Sequence, residues 1–250
     1  MRRFTGKASK LASVLRVKSW RQALLKQRVA AAVEHVSVLR SLPDMRTVVD
    51  VGANRGQFAL VARHCFDRSQ IISIEPLAQP AAIWRAVFAD DARASLMDAA
   101  LGPAEGSAVI HVSGRDDSSS LLPITATQNS LFPGTAQVDT GTVRVTRLAE
   151  LLEAAAIVTP ALLKIDVQGF ELQALAGCED LLDRFEWVYV ECSFIELYSG
   201  QAFSDEVIAW LRERGFAMHG VYNMTYDASG RAVQADFLFT SGGAAARKSA

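Results

Sequence analysis

A buried-type run, Val48 to Val51, leads into Gly52, Asn54 and Gly56 and carries Asp50 two positions before the first glycine. Gly52 lets backbone approach a ligand closely, Asn54 tolerates turn conformations that most residues avoid, and Gly56 opens a helix whose free N–H groups can meet a negative group. A dinucleotide-binding turn wants G-x-G-x-x-G, whose second glycine falls at Asn54, so a nicotinamide cofactor is disfavoured. Asp50 would sit badly beside a pyrophosphate and well beside an ammonium group. Glu75 follows 25 residues later at the end of the next β-rich run, where a carboxylate can accept both hydroxyls of a ribose. Asp98 occupies the matching place on a third run, and small Ala99 and Ala100 after it leave room for a flat base.

The second polar group is Lys164-Ile165-Asp166-Val167-Gln168-Gly169-Phe170-Glu171. A lysine and an aspartate two apart on a strand share a face, and Gly169 permits a turn that brings Glu171 to the start of the next helix. Glu191 and His219 reach the same edge if their strands run parallel. That edge is where open α/β sheets bind ligands. Asp116, Asp117 and the serines Ser118 to Ser120 form a polar block that reads as a lid or substrate loop.

The elements that must position these groups alternate short β-rich runs with helical patterns, the sequence form of a parallel sheet covered by helices. Strands are expected at Thr47 to Val51, Ile71 to Ile74, Ser95 to Leu101, Leu162 to Val167, Trp187 to Cys192, Phe216 to Val221 and Phe237 to Thr240. Helices are expected over about Arg55 to Phe66, Ala78 to Phe88, Glu171 to Leu182 and Asp205 to Arg214. Val109 to Val112 and Thr142 to Val145 alternate apolar and polar residues around a Ser/Thr/Gly/Pro-rich stretch, which predicts an inserted hairpin or loop. From Leu11 to Leu39 apolar residues recur at helical spacing, predicting one or two amphipathic helices closed by Pro43. Domain organisation follows: a helical extension over 1–46, a catalytic-type α/β domain over 47–240, and a small polar tail over 241–250 that is expected to be disordered.

Composition narrows the classes. At 250 residues and 50% hydrophobic content the chain can bury one sizeable core. Every apolar stretch is interrupted by charge well short of the ~20 residues a spanning helix needs. Cys65, Cys178 and Cys192 are odd in number and far apart, which predicts a reducing compartment and no zinc spacing. The net charge of −1 hides an asymmetry, since residues 1–46 hold eleven Lys and Arg against Glu34 and Asp44, or +9, leaving −10 for the rest. Such a basic head attracts any polyanion. The extension predicts first a helix packed on the body with a solvated basic face, and as the alternative a peripheral contact of a cytoplasmic protein with the inner face of a membrane; an arginine-rich, acid-poor head is also similar to a mitochondrial transit peptide.

Four blocks in order resemble the FkbM family of class I S-adenosylmethionine-dependent methyltransferases over about Thr47 to Thr240. They are V-D-V-G-A-N-R-G-Q at Val49 to Gln57, I-E-P at Ile74 to Pro76, D-S-S-S-L at Asp117 to Leu121, and L-K-I-D-V-Q-G-F-E at Leu163 to Glu171. The resemblance implies an α/β, Rossmann-like seven-stranded mostly parallel sheet with helices on both faces. It implies S-adenosyl-L-methionine as cofactor, with Asp50, Gly52, Asn54, Gly56 and Gln57 around its methionine end, Glu75 on the ribose, and Asp98 and Ala99 beside the adenine. It implies O-methylation of a sugar, glycan or secondary-metabolite hydroxyl, with Ser118, Ser119 and Glu171 on the acceptor. Methyl transfer to an alcohol needs a proton acceptor, for which Asp166, Glu191 and His219 are the candidates, with Lys164 orienting or neutralising charge. Gln168 stands where many relatives carry an acid, so no charge can be required there. No ligand spacing calls for a metal. The N/D-P-P-Y and Pro-Cys signatures of nucleic-acid methylation are absent, and no sequence-specific nucleic-acid partner is expected. The rival reading is a scaffold that keeps the cofactor corner without turnover.

Overall fold

The computed structural model describes residues 2–242, with side chains from Ser9 onward. The expected tail beyond 242 lies outside the described residues. Three helices come first, α1 (Arg2–Arg16), α2 (Lys18–Gln27) and α3 (Val36–Ser41). Strands β1 (Thr47–Val51), β2 (Gln70–Ile74) and β3 (Ala94–Met97) alternate with α4 (Gln57–Cys65) and α5 (Ala78–Val87). A short β4 (Ala100–Leu101) precedes β5 (Gly106–Ser113), α6 (Ala126–Leu131) and β6 (Gln137–Thr146). The chain ends with β7 (Ala161–Ile165), α7 (Glu171–Gly177), β8 (Trp187–Ser193), α8 (Ser204–Glu213), β9 (Phe216–Tyr226) and β10 (Ala232–Ser241).

Seven strands form one sheet in the order β3-β2-β1-β7-β8-β10-β9. Strands β3 to β8 in that order run parallel, and β10 is antiparallel to both its neighbours. Buried on both faces, the central strands read as near-continuous apolar runs, TVVDV in β1 and ALLKI in β7. The charged residues in those runs are therefore conspicuous. Register sets Asp50, Lys164, Tyr189 and Leu238 side by side across β1, β7, β8 and β10, and pairs Glu191 with Asp236. Because side chains alternate, Asp50, Lys164, Tyr189, Glu191 and Asp236 share one face.

Helices α7 and α8 close the opposite face with Leu175, Val207 and Leu211. The polar-bearing face is closed by α4, α5 and the N-terminal segment, whose Val14, Trp20, Val38, Leu39 and Met45 join one core cluster with Phe58, Leu162 and Leu238. Trp20 Nε1 donates to the Leu60 carbonyl at 2.9 Å, so its burial leaves no donor unpaired. The amphipathic pattern of the extension thus serves a packed layer.

The expected third strand is broken. It leaves the main sheet at Met97, and β4 pairs instead with β6, so that β4-β6-β5 forms a second sheet containing the expected hairpin. The expected helix to Leu182 ends as α7 at Gly177 and continues as a 3₁₀ turn, Glu179–Arg184. The expected strand to Val167 stops at Ile165, and β9 runs to Tyr226, five residues beyond its expected end. No helix among the described residues is long and apolar enough to cross a membrane.

Candidate active site

A cavity of about 940 Å³ opens at the C-terminal edge of the parallel strands. Its first wall is the turn after β1. Gly52 has φ +77° and passes so close to β7 that an added Cβ would lie 1.9 Å from the Asp166 carbonyl oxygen. Only glycine meets both conditions. Asn54 follows at φ +45°, and its Oδ1 accepts from Arg55 N at 2.8 Å and Gln57 Nε2 at 3.0 Å. Gln57 therefore reaches the cavity wall with its amide spent on bracing the turn.

Glu75, at the end of β2, is 5% exposed and lines the same wall. One carboxylate oxygen accepts from Asn54 N and the other from Leu77 N, both at 2.8 Å. Burial pushes its pKa up to about 7 against those two backbone N–H donors. Each oxygen keeps a lone pair for a ligand hydroxyl. Arg55 Nε bridges to Asp116 at 2.5 Å and ties this wall to the serine block, where Ser118 and Ser119 also line the cavity. Ser120 Oγ donates to the Gln168 carbonyl at 2.6 Å, anchoring the block to the turn after β7.

The floor is charged. Lys164 Nζ lies 3.3 Å from Asp166 Oδ2 and 3.5 Å from Asp50 Oδ1, and 5.3 Å from the centroid of the Phe58 ring. Burial works against its charge, but Asp166 and Asp50 outweigh it and hold its pKa above the ordinary value. Asp166 is held below its ordinary value, because Lys164 and a 2.7 Å bond from Gln168 Nε2 more than offset burial. Gln168, at φ +57°, also donates to Glu191 Oε2 at 3.0 Å and accepts from the Tyr198 hydroxyl at 2.6 Å. Glu191, whose other oxygen accepts from Gln234, is raised well above its ordinary value by burial and then by Asp166 and Asp236.

Gly52, Asn54, Glu75, Ala99, Lys164, Asp166, Glu191, Ser118 and Ser119 all line this one cavity. Other expected site residues lie elsewhere. Gly56 packs its backbone under Trp84 and Phe88 and does not line the cavity. Asp50 is fully buried behind the turn, and the ammonium it faces is that of Lys164. Asp98 points outward into a 2.6 Å bridge with Arg85, because the chain turns between β3 and β4 and delivers Ala99, Ala100 and Leu101 to the cavity instead. Glu171 folds back under its own turn, where Oε1 accepts from Val167 N at 3.2 Å and Gly169 N at 3.0 Å, so it braces the floor from below. His219 meets Trp187 edge to face at the opposite end of the sheet, 5.1 Å between ring centroids. The reason is the length of β9, whose cavity end is reached by Asn223.

The aromatic residues that line the cavity are Phe58, Phe132 and Phe170, whereas Tyr189, Tyr198 and Phe194 are packed beneath or beside it. Sequence reasoning missed His35, Asn223 and Asp236, which meet around the Tyr189 hydroxyl. The one available signal was Asp236 itself, an acid inside the otherwise apolar run Ala235 to Phe239.

A glycine turn after the first strand, a carboxylate closing the second, and a polar edge at a reversal of strand order define an α/β protein built to hold a nucleoside-bearing ligand. The chain belongs to the FkbM methyltransferase family, whose domain matches residues 50–218. It is 27% identical over 165 residues to the 2-O-methyltransferase NoeI of Sinorhizobium fredii, an alignment covering 62% of this chain and 66% of that one, just under two thirds of the relative's length. Among solved structures, the precorrin-6y C5,15-methyltransferase of Geobacter metallireducens aligns over 87% of this chain and 96% of its own, at 10% identity and a TM-score of 0.48. The O-methyltransferase NcsB1 of neocarzinostatin biosynthesis, crystallised with S-adenosyl-L-homocysteine and 1,4-dihydroxy-2-naphthoic acid, aligns over 89% of this chain and 55% of its own, at 11% identity and a TM-score of 0.42.

Proposed function

We propose that the chain is an S-adenosyl-L-methionine-dependent O-methyltransferase acting on a hydroxyl of a sugar, glycan or secondary metabolite. The observation that carries the reading is Glu75, fixed by two backbone N–H groups and lining the cavity beside the Gly52 turn. That pairing suits a ribose and a chain-end that approaches backbone closely. The cofactor would supply an electrophilic methyl group on a sulfonium. The serine block and the charged floor line the same cavity and would hold the acceptor. The name of the relative NoeI supports oxygen as the atom methylated.

Thermal unfolding with S-adenosylhomocysteine, with NAD and with neither, repeated on Glu75→Ala, tests this directly. At 100 times its dissociation constant a ligand stabilises the fold by ~2.7 kcal/mol. A shift with S-adenosylhomocysteine alone, lost in the variant, is expected; no shift would favour a scaffold. Localisation belongs to the same proposal: a cytoplasmic enzyme whose basic extension touches an anionic membrane surface, expected to pellet with anionic vesicles and to be released by salt.

A further inference from the structure

The N-terminal segment brings a titratable ring to the cavity. His35 ends the 3₁₀ turn Val33–His35 between α2 and α3 and is one of the residues lining the cavity. Its Nδ1 lies 3.0 Å from the Tyr189 hydroxyl, which donates to Asp236 Oδ2 at 3.0 Å. Asp236 Oδ2 also lies 3.5 Å from Nδ1 and accepts from Asn223 Nδ2 at 2.7 Å. The one proton of Tyr189 is committed to the carboxylate, so its oxygen is left to accept from Nδ1–H. Asn223 lies closer to Asp236 than to Nδ1, which is 3.3 Å away. This chain of bonds places the ring proton on Nδ1 and leaves the Nε2 lone pair without a hydrogen-bond partner among the described residues.

The carboxylates of the floor are differently disposed. Asp166 accepts from Lys164 and Gln168, and Glu191 from Gln168 and Gln234, one bond to each oxygen. We infer that His35 is the general base of the methyl transfer proposed above, with Asp236 and Tyr189 as positioning residues; the inference rests on that reading. The acceptor hydroxyl gives its proton to Nε2 while its oxygen bonds to the methyl carbon. The carbon–sulfur bond breaks with its electron pair kept by sulfur, so a sulfonium and an alcohol become a thioether, a methyl ether and a proton held on the imidazole. His35 and Asp236 both lie outside the residues matched by the family domain.

The charged groups facing the ring are Asp236 from β10, Lys164 and Asp166 from β7, and Glu34 from its own turn; Tyr189 faces it from β8, Asn223 from β9 and Phe58 from α4. Burial is the largest influence and lowers the His35 pKa, opposed first by Asp236. The ring is then neutral and able to accept a proton at pH 7.

The test uses the full chain with labelled histidines. Nitrogen chemical shifts are expected to show His35 neutral at pH 7.5 with the proton on Nδ1, and Asp236→Asn is expected to weaken that preference. A proton on Nε2, or an imidazolium at that pH, overturns the inference. In parallel, methyl transfer from labelled S-adenosylmethionine to simple pyranosides is compared for wild type, His35→Gln, Tyr189→Phe and His219→Ala. His35→Gln should lose about 10²–10⁴-fold in rate. Its affinity for S-adenosylhomocysteine should stay within about threefold, as expected of a group acting on the acceptor. Tyr189→Phe carries the same test if His35→Gln does not fold, and His219→Ala should be unchanged. The acid limb of the wild-type rate profile should follow the His35 titration. Transfer retained by His35→Gln overturns the inference. A wild type that does not bind S-adenosylhomocysteine fails the methyltransferase reading itself. One that binds it without methylating any pyranoside fails the sugar reading, and the tautomer then decides for His35.

Discussion

The two sides of the cavity are built by opposite means. The wall around Gly52 and Glu75 is made of two short turns whose side chains accept from backbone N–H groups: Asn54 from Arg55 N, and Glu75 from Leu77 N and from Asn54 N across the β1–β2 pair. The floor and its far end are made of residues as distant as His35, Lys164, Tyr189, Asn223 and Asp236, joined side chain to side chain. A wall satisfied by backbone is set once β1 and β2 pair and their two turns form. A floor satisfied by side chains needs the whole sheet and the helical layer in place, and removing one member leaves the others buried and unpaired.

That contrast is most directly broken at Lys164. Lys164→Met leaves Asp50 fully buried and Asp166 beside it without their cation, and should destabilise the fold by about 3–5 kcal/mol in urea unfolding. Adding Asp50→Asn should recover part of that loss; full additivity would mean that the floor is not a network. Gly52→Ala tests the wall. With φ +77° and a Cβ aimed at the Asp166 carbonyl, the turn must move, and a loss of about 2–3 kcal/mol together with loss of S-adenosylhomocysteine binding is expected.

Glu171 sharpens the comparison through pH. Burial raises its pKa to about 7 from an ordinary 4.5. A raised folded-state pKa means that its favourable contribution is fully present below about 4.5 and is lost as pH rises through 7. Glu171→Gln keeps an oxygen for Val167 N and Gly169 N and removes the buried charge. The variant should therefore gain on wild type between pH 5 and 8, by on the order of 2–3 kcal/mol at the upper end. A parallel pair of stability–pH curves would rule this out. At the smallest end stands His219→Ala, far from both sides of the cavity, which should change stability by under about 0.5 kcal/mol beyond its ring contact with Trp187.

Legibility in the sequence followed the same division. The glycine turn, Glu75 and the Lys164–Glu171 block were readable because each is a contiguous string whose residue types announce a backbone conformation. Strand β1 was located to the residue for the same reason. Asp98 and His219 were misplaced because their positions depend on where strands stop. β3 gives way to a turn before Asp98, and β9 runs on past His219 until Asn223 reaches the edge. His35 left no local trace, since a histidine between two short helices gains meaning only when the helical layer docks on Phe58 and Tyr189. The apolar stripe of the basic extension reads as the packed side of a helix with a solvated basic face, and the buried contacts of Val14 and Trp20 are that packing.

The N-terminal layer lends the cavity Leu11, Val14, Leu24 and His35, all upstream of the span that defines the family. Similarity scored over residues 50–218 therefore carries information about the turn and carboxylate common to the family's blocks, and none about these four side chains. Two chains that agree closely within that span can present differently shaped entrances. Sorting such proteins by what they modify calls for aligning the first forty residues, the part most readily discarded when a domain boundary is drawn by sequence alone.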